Sequence, residues 1–447
     1  MPIKTIFFLL AFATAVICAL GAPLVGVLGY MLHYMIGPER QWWALPIQSM
    51  GLRYSFSLAV ATIIGIVFAA GRLKYGKSLF RSQELMILIF LGYMWFSLLY
   101  SDKTLAQFSG ADHPTIKMAK VVVFLLIMTH VATTIKSVRL VFWTLVAGAL
   151  ILGVQAWQTP YRDFAKGRLE SVGGADFADA NTLGAFTGAM LPLIGVQLLQ
   201  HKWKGKALCL AAGAFAANAV VLTRSRGAMV GILAGTALAG FLAPKERRKA
   251  VIAGIVVAAV GAWFIMDPGY ISRAKSIEDP SKASDDAVLS RLEIWDASLR
   301  MWRDNPMGVG AGNFFQDIGK YDSRYAGRDA HSLYFRCLAE LGIVGIMLLG
   351  GLVFGAAASL YNTAKEAKTL HSPEGEQIRL YAFGVAISLT MLLFSGLTRS
   401  LLYVEGFWWL LALPVCLGRA LENAREPLPS AVRQARKKVA AKTIASA

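Results

Sequence analysis

Long apolar stretches constrain this chain more than any other feature. They recur along almost its whole length, and runs of about 17–25 apolar residues each cross a ~30 Å hydrocarbon layer as a helix. Backbone amides find no water to bond in lipid, so only helices and closed barrels span it, and barrel strands are far shorter than these runs. With 447 residues, 56% of them hydrophobic, and a mean hydropathy of +0.53, the sequence reads as an all-α, polytopic membrane protein. Candidate spans are 5–36, 54–71, 84–100, 116–133, 138–157, 180–199, 206–222, 227–243, 250–266, 338–361, 378–396 and 403–420. The run from Thr5 to Ile36 exceeds a signal-peptide core of about 7–15 residues, so it reads as an uncleaved first span bent at Gly21 and Pro23.

The net charge of +18 would suggest nucleic acid on a soluble chain. In a membrane protein, Lys and Arg mark the cytoplasmic loops instead, and no nucleic-acid partner is expected. The basic links are 72–83, 134–139, 200–206 and 244–249, together with the tail bearing Arg436, Lys437 and Lys438. All of them fall on one side if about twelve spans alternate with both termini cytoplasmic. A hairpin within 5–36 would instead move the N-terminus outside. The expected organisation is 1–266 with about nine spans, a long outer segment 267–337, the last spans in 338–420, and a basic tail 421–447 that contacts membrane lipid headgroups. Cys18, Cys209, Cys337 and Cys416 lie in apolar segments at wide spacing and read as small core residues. Neither a cofactor nor a metal is expected.

Several charges run against the positive-inside pattern. The outer link Thr223-Arg224-Ser225-Arg226-Gly227-Ala228 carries two arginines. They either snorkel to lipid phosphate or clamp an anion, a phosphate or pyrophosphate, at the start of a helix whose small residues let it approach. In the outer segment, Val288, Leu292, Trp295, Leu299 and Trp302 recur on one face of an amphipathic helix over about 287–304. Arg291 lies at the edge of that stripe, either as a cation–π partner of tryptophan or as a cation aimed at a buried anion. The following Gly308-Val309-Gly310-Ala311-Gly312 lacks the strand–turn–helix setting of a dinucleotide site, and reads as a turn returning the chain to the membrane.

Among six histidines, topology leaves His113 and His331 near the outer aqueous face. His113 precedes Pro114 and reads as a cap or surface residue. His331 lies where the long segment turns into the next helix, with Asp329 as a candidate N-cap. There the positive helix end disfavours imidazolium and leaves the neutral ring a general base needs. Lys120, one turn inside the fourth span, either snorkels or meets a lipid-linked phosphate. Asn181 caps the sixth span or touches sugar hydroxyls.

Taken in order, Asp179-Ala180-Asn181-Thr182-Leu183, Ser225-Arg226-Gly227-Ala228, Arg291-Leu292-Glu293-Ile294-Trp295, Asn305-Pro306-Met307-Gly308-Val309-Gly310, Ala330-His331-Ser332-Leu333-Tyr334 and Leu338-Ala339-Glu340-Leu341-Gly342 resemble the O-antigen ligase and polymerase superfamily of bacterial envelope glycosyltransferases. Ser332 stands where many relatives carry Asn. The resemblance covers most of residues 115–365. It implies a multi-pass protein of the bacterial inner membrane with a periplasmic active site and metal-independent glycosyl transfer. The donor would be an undecaprenyl-pyrophosphate-linked O-antigen, and the acceptor lipid A–core for a ligase or another lipid-linked repeat for a polymerase. By the same resemblance His331 is the base or positioning group for the acceptor hydroxyl, and Arg226 and Arg291 are donor phosphate ligands. Arg224 and Lys120 join that set from topology alone, and Asp329, Tyr334 and Asn181 are candidate sugar or acceptor contacts. One base with an arginine cluster favours inversion, because retention usually needs a carboxylate nucleophile close by. A ligase is preferred, since a large outer segment leaves room for a second bulky lipid-linked substrate. Protein O-glycosylation shares the layout, and a lipid-linked sugar transporter is the rival of another class, although no internal repeat or midplane charge supports it.

Overall fold

The computed structural model describes residues 2–44, 51–74, 76, 78–101, 113–165, 167–266 and 286–425. Among these residues the fold is helical, without strands, and comprises 15 helices. They are α1 (Ile3–Gly21), α2 (Pro23–Ile36), α3 (Tyr54–Ala69), α4 (Ser82–Phe96), α5 (Pro114–Val131), α6 (Ile135–Gln158), α7 (Ala180–Gln200), α8 (Trp203–Thr223), α9 (Arg226–Leu242), α10 (Arg248–Ile265), α11 (Asp286–Asp304), α12 (Phe314–Tyr321), α13 (Leu333–Lys368), α14 (Pro373–Ser395) and α15 (Glu405–Arg425). Eight are long and apolar enough to cross a membrane, and α3, α4 and α9 are shorter apolar helices. The basic tail 426–447 and much of the outer segment, 267–285, lie outside the described residues.

The expected first span is two helices. Ala22 leaves the helical region (φ −138°, ψ 85°), and Pro23 opens α2 at a position where its missing N–H costs nothing. The pair closes as an antiparallel hairpin: Ala19 lies against Gly26 and Ala15 against Gly29. At its open end Phe8 packs on Trp43 and Tyr54, with ring centroids 5.4 and 5.2 Å away. That end also holds Tyr34, whose hydroxyl donates to Asp176 at 2.9 Å. α1 thus begins at the end of the bundle that carries Asp176, and α15 ends at the other. Of the two readings of residues 5–36, the hairpin is the one found.

The basic links gather at one end, as their sequence spacing requires. There Arg81 pairs with Glu422 at 2.6 Å, Arg247 with Glu376 at 2.6 Å and Arg425 with Glu366 at 2.6 Å. Deeper in, Arg419 meets Glu84 at 2.8 Å, both side chains 1% exposed. A buried pair of this kind is tolerated only with its remaining bonds made, and Thr129 and the carbonyl of Leu79 supply them. A labelling experiment tests the polarity. In a chain with its native cysteines replaced, Pro2→Cys and Ser323→Cys should react with an impermeant maleimide from the same face, and Lys368→Cys only from the opposite one. Labelling of Pro2→Cys together with Lys368→Cys would refute the hairpin.

At the end opposite the basic links, α11, α12 and residues 305–332 form a layer over the bundle. Their core is Ile294, Ala297, Met301, Phe314, Ile318, Tyr325 and Ala330, joined by Ala339 of α13. The buried face of α11 differs from the expected stripe: Leu292 is 52% exposed while Ile294, Ala297 and Met301 are covered. Trp295 is the shared element, stacking on Phe335 at 5.0 Å and donating to the carbonyl of Ala330 at 3.0 Å.

The layer is pinned to the membrane part at a break in α13. Its 36 residues would run about 54 Å as one rod, far beyond a bilayer core. Gly342 interrupts it with φ 64° and ψ −162°. A break strands main-chain carbonyls that need donors, and the glycine-rich turn provides them. Val309 N–H donates to Ala339 O at 3.0 Å, and Gly310 N–H to Glu340 O at 2.9 Å. Gly308 and Gly342 each face backbone so closely that a Cβ at either would collide with it. The turn is therefore a main-chain clasp, consistent with its reading as a return to the membrane.

Candidate active site

Four segments meet at this end: the α6–α7 link, the α8–α9 turn, residues 328–332, and the α14–α15 link. The α8–α9 turn is set by Arg224 in the left-handed region (φ 48°) and by Ser225, whose hydroxyl caps α9 by accepting from Ala228 N–H. The small residues after it serve helix packing. Gly227 lies against Thr398, and Gly231 and Gly235 against Ser395 and Met391. This four-residue spacing of glycines brings α9 close to α14, and it was not recognised as such in the sequence. Ser225 thus takes one of the N–H groups at the start of α9, and Gly227 serves its contact with Thr398. The consequence for the site is that Arg226 stands one residue from the Gly227–Thr398 contact, and Arg399 one residue beyond it.

His331 also adopts a left-handed conformation (φ 48°), which is uncommon for a residue with a Cβ and costs about 1–2 kcal/mol. Ser332, one residue later, caps α13 by accepting from Phe335 N–H. The histidine therefore stands just outside the helix, not in its first turn, and Asp329 is not the cap. Asp329 turns to cations instead. Its carboxylate accepts from Arg336 at 3.2 Å and Ser400 at 2.9 Å, and lies 3.6 Å from His331 Nδ1. Arg336 continues to Glu340 at 3.1 Å and sits over the rings of Phe315 and Tyr403, 4.7 Å from each. Burial opposes ionisation of Asp329, yet Arg336 and Arg399 outweigh it and hold the carboxyl below the usual range.

Arg399, on the α14–α15 link, completes the arrangement. It pairs with Asp179 at 2.6 Å, donates to Thr182 Oγ1 at 2.7 Å, and places a guanidinium nitrogen 3.4 Å from His331 Nδ1. Burial pushes the imidazole below its ordinary value. Asp329 and Asp179 oppose that shift, while Arg399 and Arg291 add to it. Arg291 of α11 is thus within electrostatic reach of the histidine.

The remaining candidates divide. The carbonyl of the Asn181 side chain accepts from Arg168 at 2.7 Å and Ser225 at 3.0 Å. Asn181 thus ties the start of α7 to the α8–α9 turn, and the capping expected of it belongs to Asp179. Tyr334 donates its hydroxyl to Leu393 O at 2.9 Å, which directs it to α14. The guanidinium of Arg224 lies against Gly167. Lys120 is exposed on α5, one turn beyond Lys117, which forms an ion pair with Asp176. His113 is buried and caps α5, its ring accepting from Thr115 N–H. Arg399, Arg336 and Arg168 were not singled out from the sequence.

A histidine with a carboxylate on one side and arginines around it, beneath a layer over a helical membrane bundle, is an arrangement able to move a proton beside an anion. Residues 211–350 match the O-antigen ligase family. That match supports the O-antigen ligase superfamily for this segment. Arg224, Arg226, Arg291 and His331 fall inside the O-antigen ligase segment, whereas Asp179, Asn181 and Arg399 fall outside it. Glycosyl transfer at a membrane, from a lipid-linked polysaccharide, is the kind of activity this superfamily supports. No curated protein matches the chain.

Proposed function

We propose that this protein is an O-antigen ligase, transferring O-antigen polysaccharide from undecaprenyl pyrophosphate to a sugar hydroxyl of lipid A–core at the periplasmic face of the bacterial inner membrane. The observation that carries the reading is the position of His331 between Asp329 and the guanidinium of Arg399, with Arg291 in its field. The neutral imidazole, favoured by burial and by the charges of Arg399 and Arg291, is the form a base needs. It accepts the acceptor hydroxyl's proton as the oxygen attacks the anomeric carbon. The bond from that carbon to the pyrophosphate breaks on the opposite sugar face, and its electrons remain on undecaprenyl pyrophosphate. Arg226 and Arg291 stabilise the charge that develops there, and Arg224 and Lys120 add positive potential. This is a single displacement with inversion, without a metal or other cofactor.

Ligase rather than polymerase is preferred because a large outer segment before a late span leaves room for a second bulky lipid-linked substrate. Loss of a ligase should leave long chains on the undecaprenyl carrier and none on lipid A–core. Loss of a polymerase should leave single repeats attached to the core. A lipopolysaccharide gel of a deletion strain, beside an assay of its carrier-linked glycan, separates the two. Core capped with one repeat would overturn the ligase reading. A normal ladder with a lost glycoprotein signal would assign the chain to protein modification.

A further inference from the structure

Arg399 lies outside the matched family segment, yet it joins three separate parts of the site. One guanidinium nitrogen meets Asp179 at 2.6 Å, Nε meets Thr182 at 2.7 Å, and the third nitrogen stands 3.4 Å from His331 and 3.9 Å from Asp329. The side chain is 18% exposed, so its charge is only partly screened by water. It reaches from the α14–α15 link to the first turn of α7 and to the residue before the α13 cap. A planar fork with donors on several sides is what such a three-way junction needs, and an ammonium cannot reproduce it.

We propose that Arg399 is a positioning residue for the transfer reaction, locking the start of α7 to His331 and setting its positive charge beside the imidazole. The proposal rests on His331 being the base. The groups facing His331 are Asp329 on its own segment, Arg399 from the α14–α15 link, Arg291 from α11 and Asp179 from the start of α7. Two are cations and two are carboxylates. Removing a cation makes imidazolium easier to form, and removing a carboxylate makes it harder.

Purified full-length protein in detergent, with lipid-linked donor and lipid A–core acceptor, gives the test through kcat/KM against pH. The wild type should show an acidic limb where His331 protonates. Arg399→Gln should move that limb to higher pH by on the order of one unit, so activity lost near the wild-type limb returns in alkaline buffer. Asp179→Asn, which still caps α7, should move it the other way. Arg399→Lys keeps the charge without the fork, so its limb should stay while kcat falls at every pH. A uniform loss in Arg399→Gln with an unmoved limb would overturn the proposal and leave the base assignment standing. A wild type lacking any acidic limb, or a His331→Asn variant that retains one, would instead refute the base reading. Should Arg399→Gln fail to accumulate, Arg399→Lys and Asp179→Asn decide it, and an unmoved limb in Asp179→Asn counts against the charge balance.

Discussion

Replacing His331 with alanine is expected to reduce glycosyl transfer by about 10²–10⁴-fold, the usual contribution of a general base. The protein should remain in the membrane, because no helix depends on the imidazole. Ser332 rather than His331 caps α13, and the ring's nearest polar neighbours, Asp329 and Arg399, have other partners. The left-handed backbone at His331 makes alanine mildly strained there, so His331→Asn is the cleaner variant. Asparagine tolerates that conformation yet offers no comparable base. Both variants should lose activity together, measured as transfer per unit of purified protein. Since burial lowers the imidazole's proton affinity, the wild-type ring stays neutral to more acidic pH than a free histidine. Its rate should therefore fall only below the ordinary imidazole range. Near-normal transfer by His331→Asn would show that the histidine is not the base.

Arg291→Ala and Arg226→Ala should each lower transfer by about 10²–10³-fold, the scale for removing one preorganised donor from developing negative charge. Lysine at either position should restore only part of it, because a single ammonium lacks the bidentate fork. The two sites differ in surroundings. Arg226 opens α9 beside the glycine contact with α14, whereas Arg291 projects from the outer layer near His331. Loss at Arg226 should therefore leave the acidic limb in place, and loss at Arg291 should move it to higher pH. Full activity of both lysine variants would mean that the arginines merely touch lipid headgroups.

The membrane class and most spans were legible because each required only length and apolar content. In the first span the break was legible at Gly21 and Pro23, but Thr5–Ile36 is apolar throughout and nothing in hydropathy separates a bent span from a hairpin closed there. On α11 the apolar stripe marked one face of the helix, but Leu292 within it is exposed while Ser298 outside it is covered. An amphipathic helix at a membrane surface has two apolar environments available, and periodicity does not say which face meets protein. Asp329 resembled a cap by position, but Ser332 occupies that place and the carboxylate is held by Arg336, in the first turn of the next helix, and by the distant Arg399. Arg399 carried a readable signal. It is a cation on a short link at the same end as Arg224 and Arg226, breaking the same charge rule, and was passed over because Thr398-Arg399-Ser400 contains no motif.

The clasp between the glycine-rich turn and the break in α13 divides the tolerance of the sequence to change. Its bonds run between main-chain atoms of Val309, Gly310, Ala339 and Glu340, so they ask nothing of side chains except glycine where a Cβ would collide. Residues 313–329 answer to side chains instead: Phe314, Ile318 and Tyr325 fill the core of the layer, and Asp329 sits beside His331. Change is tolerated there only at the exposed positions between them, while His331, joined to the break by a short stem, keeps its address.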